Sequence, residues 1–331
     1  MSKKNIALVA GGYTGEYEVS LNSAQNIERE LDKQLYQVYK IIIDTQSWYY
    51  IDVNNQKYEI NKNDFSLHLP TGIICFDAAF ITIHGSPGED GKLQGYFDLL
   101  RIPYNTCDTT TAALTMNKAY TKSVVHNIAN LFTANSLTLY KNTNQVQQLI
   151  SDNLKFPLFI KPNNGGSSVG MSKVNDAHQL ETALQKAFNE DSQILVEEFI
   201  QGREFSIGLA LLNGQIKVLP ATEIITSKDF FDYEAKYTPG ITNEITPAQL
   251  SDTQNNTITQ IVSDVYKVLN CKGMVRVDFI LQHQTQNFYF IEINTTPGQS
   301  ANSLIPQQLR AAGINVGWFY AKLIEESLNP M

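Results

Sequence analysis

Two short segments near the C-terminus constrain this chain more than any other feature. Met274-Val275-Arg276-Val277-Asp278-Phe279-Ile280 and Phe290-Ile291-Glu292-Ile293-Asn294 place polar residues among apolar ones at alternate positions. Successive side chains of an extended strand point to opposite faces, so Arg276 and Asp278 share a face, as do Glu292 and Asn294. The polar link 282–287 suits a hairpin, which would set the two pairs side by side. Charged groups in such strands are costly unless paired or bound to a cation. Asp, Glu and Asn oxygens are hard ligands, and with phosphate oxygens they suit magnesium. The arginine would stabilise charge on a phosphoryl group in transfer. A structural Arg276–Asp278 or Arg276–Glu292 ion pair is the plain alternative, but four polar groups exceed what one pair needs.

A phosphate cradle is sought upstream. Lys161-Pro162-Asn163-Asn164-Gly165-Gly166-Ser167-Ser168-Val169-Gly170-Met171-Ser172 is rich in glycines, which let backbone amides approach a phosphate, and in serine donors. Met171 stands where a P-loop needs its lysine, and the next segment reads as a strand, so a P-loop is rejected. A hairpin lid over phosphates fits better, with Lys161 supplying charge from the preceding strand. An ordinary glycine-rich hairpin is the bland reading. Lys118, early in a helical pattern, is a second phosphate candidate; alone it reads as a solvated surface lysine.

Strand and helix patterns alternate over the first hundred residues, which predicts a partly parallel αβ sheet. The stretch 48–69 reads as an irregular or hairpin insertion. Helices are expected near 111–130 and 145–152, and strands dominate from 193 until two closing helices. With 331 residues, 43% of them hydrophobic, two or three domains are expected. A net charge of −8 argues against a broad nucleic-acid footprint. The N-terminal apolar run is too short for a signal peptide, and no later segment approaches a membrane span. Cys75, Cys107 and Cys271 form neither a disulfide framework nor a zinc pattern, which fits the cytoplasm.

The first glycine turn, Gly11 to Gly15, lacks the spacing of a dinucleotide fingerprint. Glu16 and Glu18 sit in the first helical turn, where acids favour the positive helix end; the functional reading has Glu16 meeting a substrate ammonium. His84 ends a strand at a glycine-rich loop, a common place for binding residues.

In this order the motifs resemble the D-alanine–D-alanine ligases of the ATP-grasp superfamily, over nearly the whole chain. The signals are Gly11-Gly12 with Glu16-Tyr17-Glu18-Val19-Ser20, His84-Gly85 with Gly88-Glu89-Asp90-Gly91, Gly165 to Gly170, Tyr233-Glu234-Ala235-Lys236-Tyr237, and Glu292-Ile293-Asn294-Thr295-Thr296-Pro297-Gly298. The resemblance implies an α/β three-domain ATP-grasp fold: an N-terminal αβ domain (1–106), a central domain (107–196) and a C-terminal, mainly antiparallel domain (197–331) with a mobile loop at 227–240. It also implies a cytoplasmic homodimer that binds neither nucleic acid nor membrane.

By the same resemblance, Glu16 would bind the ammonium of the first D-alanine in a hydrogen-bonded group with Ser167 and Tyr237, and His84 would lie close by. Lys118, Lys161 and Lys236 would hold the phosphates of ATP. Glu197 and the backbone around Glu198 and Ile200 would meet adenine, and Glu204 the ribose. Asp278, Glu292 and Asn294 would bind two magnesium or manganese ions, with Glu292 bridging. Arg276 and the Gly298 backbone would stabilise a tetrahedral intermediate. Ser303 and the Leu304 backbone would receive the second carboxylate. Tyr17, Asn117 and Asn163-Asn164 depart from the family's usual residues without removing a reacting group. The implied chemistry phosphorylates one D-alanine carboxylate and lets the amine of the second attack the acyl phosphate. The runner-up is a D-alanine–D-lactate ligase or another ATP-grasp carboxylate–amine ligase; by the resemblance, Tyr237 goes with dipeptide formation and argues against the D-lactate variant. A nucleotide-binding regulator without catalysis is the reading from another class, and the full set of lysines, arginine and metal ligands speaks against it.

Overall fold

The computed structural model describes residues 3–166, 168–226 and 242–329, which form three sheets. In the first, Lys4–Gly11 lies between Tyr36–Ile43 and Ala78–Ile81 and runs parallel to both. Helices pack against such a sheet, so its central strand is apolar on both faces, and Ile6 to Ala10 are fully buried. The helix Tyr17–Glu30 returns the chain across it. The stretch 48–69 is more regular than its polarity suggests. Trp48–Ile51, Lys57–Asn61, Ser66–Leu69 and Gly72–Ile74 extend one edge as an antiparallel meander. Aspartates make its turns: Asp52 Oδ1 accepts from the amides of Asn54 and Gln56. Edge-to-face contacts of Phe65 with Trp48 and Phe97 bury its inner side.

The second sheet is antiparallel, in the order Ser172–Val174, Leu158–Pro162, Gln193–Glu198, Ser136–Tyr140. Its period-two pattern turns Leu158, Ile160, Ile194 and Val196 into a core beneath the helices Val146–Asn153 and Leu180–Glu190. Lys161 and Glu197 stand on the alternate positions and face the other way.

The third sheet centres on Gly202–Leu212, Met274–Gln282 and Phe288–Asn294, with Leu131–Phe132 added in parallel at one edge. The helix Asp252–Val268 covers one face and starts with a capping box between Ser251 and Gln254. The expected hairpin forms, with Asp278 opposite Glu292 and Arg276 opposite Asn294. A bulge intervenes: Phe279 pairs with Phe290, so Ile291 is an extra residue. In a regular strand Phe290 and Glu292 would share a face. The extra residue lets Phe290 join the core while Glu292 turns beside Asp278.

Two segments pack away from their sequence neighbours. Cys107, Val125, Ile128 and Leu131, expected in the central domain, lie in the core of the third sheet. The last helix, Val316–Leu328, inserts Phe319, Tyr320, Leu323 and Ile324 among Ile6, Leu8, Ile27 and Phe80 of the first. No helix among the described residues is long and apolar enough to cross a membrane.

Candidate active site

Where the three sheets meet there is a cavity of about 490 Å³. Its floor is the hairpin face. Arg276 donates from Nε and from its terminal nitrogen to the two oxygens of Asp278, at 3.0 and 2.8 Å. Ser206 donates to Asp278 Oδ1 at 2.5 Å. Burial opposes the Arg276 charge, but Asp278, Glu292 and Glu89 outweigh it and hold its pKa above the ordinary value. The structural ion pair is therefore present. It does not account for the rest of the face, because Glu292 and Asn294 stand beside it and also line the cavity. Lys118 Nζ approaches Glu292 at 3.8 Å.

The donor set suits a hard cation: two carboxylates and the amide oxygen of Asn294. Among the described residues no group of three or more His, Cys, Asp or Glu side chains is placed to hold a metal. An ion here would rely on Asp278, Glu292, Asn294 and the oxygens of a phosphate substrate.

Opposite the floor, the second sheet contributes Phe159, Lys161 and Glu197 to Ile200, with Glu204 at the junction. Lys161 and Lys122 both bind the buried Glu197 carboxylate, Lys161 at 2.5 Å. The Glu198 side chain accepts from Asn135 and from the Lys155 amide, and the Glu198 amide donates to the Asn135 carbonyl. Lys118 donates to the Gly165 carbonyl at 2.6 Å and lines a smaller side cavity with Gly166 and Glu292. The two departures next to these lysines have structural work. Asn117 caps the helix Lys118–Val125, and Asn163 accepts from the Ala119 amide while donating to Gln193.

Glu16 and His84 lie at the far end. Gly166 passes so close that a Cβ there would stand 3.2 Å from Glu16 Oε2. His84 Nε2 is buried with no hydrogen-bond partner among the described residues, an arrangement that invites a polar group of a ligand. Glu89 lies between them and Arg276. Its carboxylate accepts from the amides of Gly85 and Thr296, yet burial keeps its pKa raised. At the third wall Ser303 holds the N-cap position of the helix Leu304–Ala311, with its hydroxyl hydrogen-bonded to Ser300 Oγ. Ser303, Leu304 and Ile305 line the cavity, so that a helix N-terminus, which suits a carboxylate, borders it. Gly298 approaches it: a Cβ there would lie 3.1 Å from Ser303 Oγ.

Of the residues singled out from sequence, Ser167, Lys236, Tyr237 and the loop 227–240 lie outside the described residues. Lys118 borders the side cavity, and all the other residues given a catalytic, binding or metal role line the main one. Sequence reading missed Lys122, Glu89 and Ser206. Lys122 follows Lys118 by four residues on one helix, the spacing that puts both on one side. Glu89 sat inside a quoted motif without a role. Ser206 alternates with Glu204 on one strand.

The sequence of residues 122–328 matches the family model for the D-ala D-ala ligase C-terminus, and residues 5–107 that for the N-terminus. The chain is 41% identical to the D-alanine–D-alanine ligase of Azobacteroides pseudotrichonymphae, over 97% of this chain and 99% of that protein. With the same-named protein of Flavobacterium johnsoniae it shares 42% over 98% and 99%. Among solved structures, the VanG D-Ala:D-Ser ligase of Enterococcus faecalis superposes with a TM-score of 0.87 at 31% identity, covering 98% of this chain and 99% of that one. The D-alanyl-alanine synthetase A of Vibrio cholerae superposes at 0.88 and 27%, covering 99% of both. Cavity, sheets and sequence agree that this chain belongs to the D-alanine–D-alanine ligase family of ATP-grasp fold.

Proposed function

We propose that the chain joins two D-alanines into D-alanyl-D-alanine for peptidoglycan precursors, consuming ATP and releasing ADP and phosphate. One observation carries this: a single cavity holds a carboxylate and amide face, a lysine-bearing wall opposite it, an acid with a buried histidine, and a helix N-terminus. Glu16 holds the ammonium of the first D-alanine, with His84 beside it. Lys118 and Lys161 meet the phosphates of ATP, Glu197 and the backbone of Glu198 and Ile200 meet adenine, and Glu204 the ribose. Two magnesium or manganese ions held by Asp278, Glu292 and Asn294 would offset phosphate charge when bound. Arg276 and the Gly298 backbone stabilise the tetrahedral species formed when the second amine attacks the acyl phosphate. Ser303 and the Leu304 amide hold the second carboxylate. Lys236 adds charge for the phosphates and Tyr237 favours the dipeptide; both lie outside the described residues. The working form is a cytoplasmic homodimer.

Mass spectrometry of products from ATP, magnesium and either D- or L-alanine tests the reading. D-alanyl-D-alanine with ADP is expected from D-alanine alone; ligation of L-alanine, or no ADP release, would sink it. The D-Ala:D-Ser ligase neighbour favours one second reading, D-serine as second substrate. Competition of D-alanine with D-serine and D-lactate near neutral pH decides between them, and preference for either competitor overturns the dipeptide assignment.

A further inference from the structure

The nucleotide wall contains a cation that the reaction does not use. Lys122, on the helix Lys118–Val125, is buried and does not line the cavity. Its ammonium has three donors and three acceptors around it: Glu197 Oε1, the Ala134 carbonyl at 2.9 Å and Ser136 Oγ at 3.0 Å. Lys122 is thus fully engaged and has no donor left for a ligand. Lys161 occupies the other oxygen of the same carboxylate and does face the cavity. Two ammoniums on one carboxylate leave one positive charge in excess, in a place where an unpaired charge is expensive. A phosphate anion would neutralise that excess. Without Lys122, Glu197 and Lys161 would form a closed neutral pair, and drawing Lys161 toward phosphate would strand a buried carboxylate.

We infer that Lys122 is a positioning residue: by holding Glu197 it frees Lys161 to meet the phosphates of the nucleotide. Lys122 thereby sets nucleotide affinity without touching the ligand. This rests on the reading of the Lys161–Glu197 wall as the ATP site.

The test is a double-mutant cycle read by calorimetric titration of the full-length protein with ADP and magnesium. Lys122→Met is expected to weaken ADP roughly tenfold, equivalent to about 1.4 kcal/mol. In the Glu197→Gln background there is no carboxylate to sequester Lys161, so adding Lys122→Met should change affinity by less than about threefold, within about 0.7 kcal/mol. Steady-state kinetics should show a raised KM for ATP and an unchanged KM for D-alanine. Lys122→Arg keeps the charge, guards against a folding defect in the methionine variant, and should retain wild-type ADP affinity. Equal weakening by Lys122→Met in both backgrounds would show a merely structural role and overturn the inference. So would unchanged ADP affinity in Lys122→Met while Lys161→Met weakens binding. If Lys161→Met and Glu197→Gln both leave ADP affinity intact, the assignment of this wall to the nucleotide fails first, and the inference with it.

Discussion

At Glu197 burial alone would raise the pKa, but Lys161 and Lys122 overturn that and hold it below its ordinary value of 4.5. A carboxylate with a lowered folded-state pKa stabilises the fold fully above its unfolded pKa. That contribution is lost as pH falls through the folded value. Glu197→Gln should therefore cost about 3 kcal/mol at neutral pH, the usual penalty for breaking a buried ion pair. The difference from wild type should shrink steadily below about pH 4.5, and urea melts across that range measure it. A difference that persists undiminished down to about pH 3 would contradict this picture. Arg276 invites a second residue-level prediction. Its fork to Asp278 is bidentate, so Arg276→Lys keeps the charge but not the geometry. A loss of about 10²-fold in kcat is expected, comparable to removing an oxyanion donor, with little change in KM for ATP. Stopped-flow or coupled ADP assays would report it.

At the scale of elements, the strand–turn–helix unit at the N-terminus depends on one backbone approach. Gly11 has φ +99°, and a Cβ there would lie 2.4 Å from the Ile43 carbonyl oxygen of the neighbouring parallel strand. Its amide donates to Ser20 Oγ, tying the turn to the helix behind it. Gly11→Ala combines a left-handed backbone penalty with that clash, and a loss of about 2–4 kcal/mol is expected in a chemical melt. An unchanged midpoint would mean that the turn relaxes freely. The glycines, the two alternating strands and their shared polar face were legible in the sequence because each follows from local periodicity. The bulge at Ile291 was not, because it is defined by the register of the partner strand. The meander 48–74 was under-read for the opposite reason: its polar turns hide short strands whose apolar sides meet only in three dimensions. Lys122 was missed because a lysine's burial depends on a carboxylate 75 residues away in sequence.

For the molecule as a whole, the last helix belongs to the first core, and this links chain end to active site. Tyr320 stacks edge-on against Phe80, and its hydroxyl donates to Gln299 Oε1 at 3.0 Å. The Gln299 carbonyl accepts from Asn26, and its amide donates to Ser23 Oγ, so two helices fix the residue next to Gly298. Phe319, fully buried beside Tyr320, carries the packing. Phe319→Ala should cost about 3–5 kcal/mol and lower all activities together through loss of folded protein. Tyr320→Phe is the informative contrast, because it keeps the ring and removes only the hydroxyl. It should cost about 1 kcal/mol in stability. Gln299 would then lose one of its restraints beside the proposed intermediate and second-carboxylate sites. KM for the second D-alanine should rise several-fold while KM for ATP, whose wall lies on another sheet, stays constant. Initial rates over a matrix of D-alanine and ATP concentrations separate the two. Equal shifts in both constants would mean that the hydroxyl acts on overall closure of the cavity rather than on the Gly298 wall.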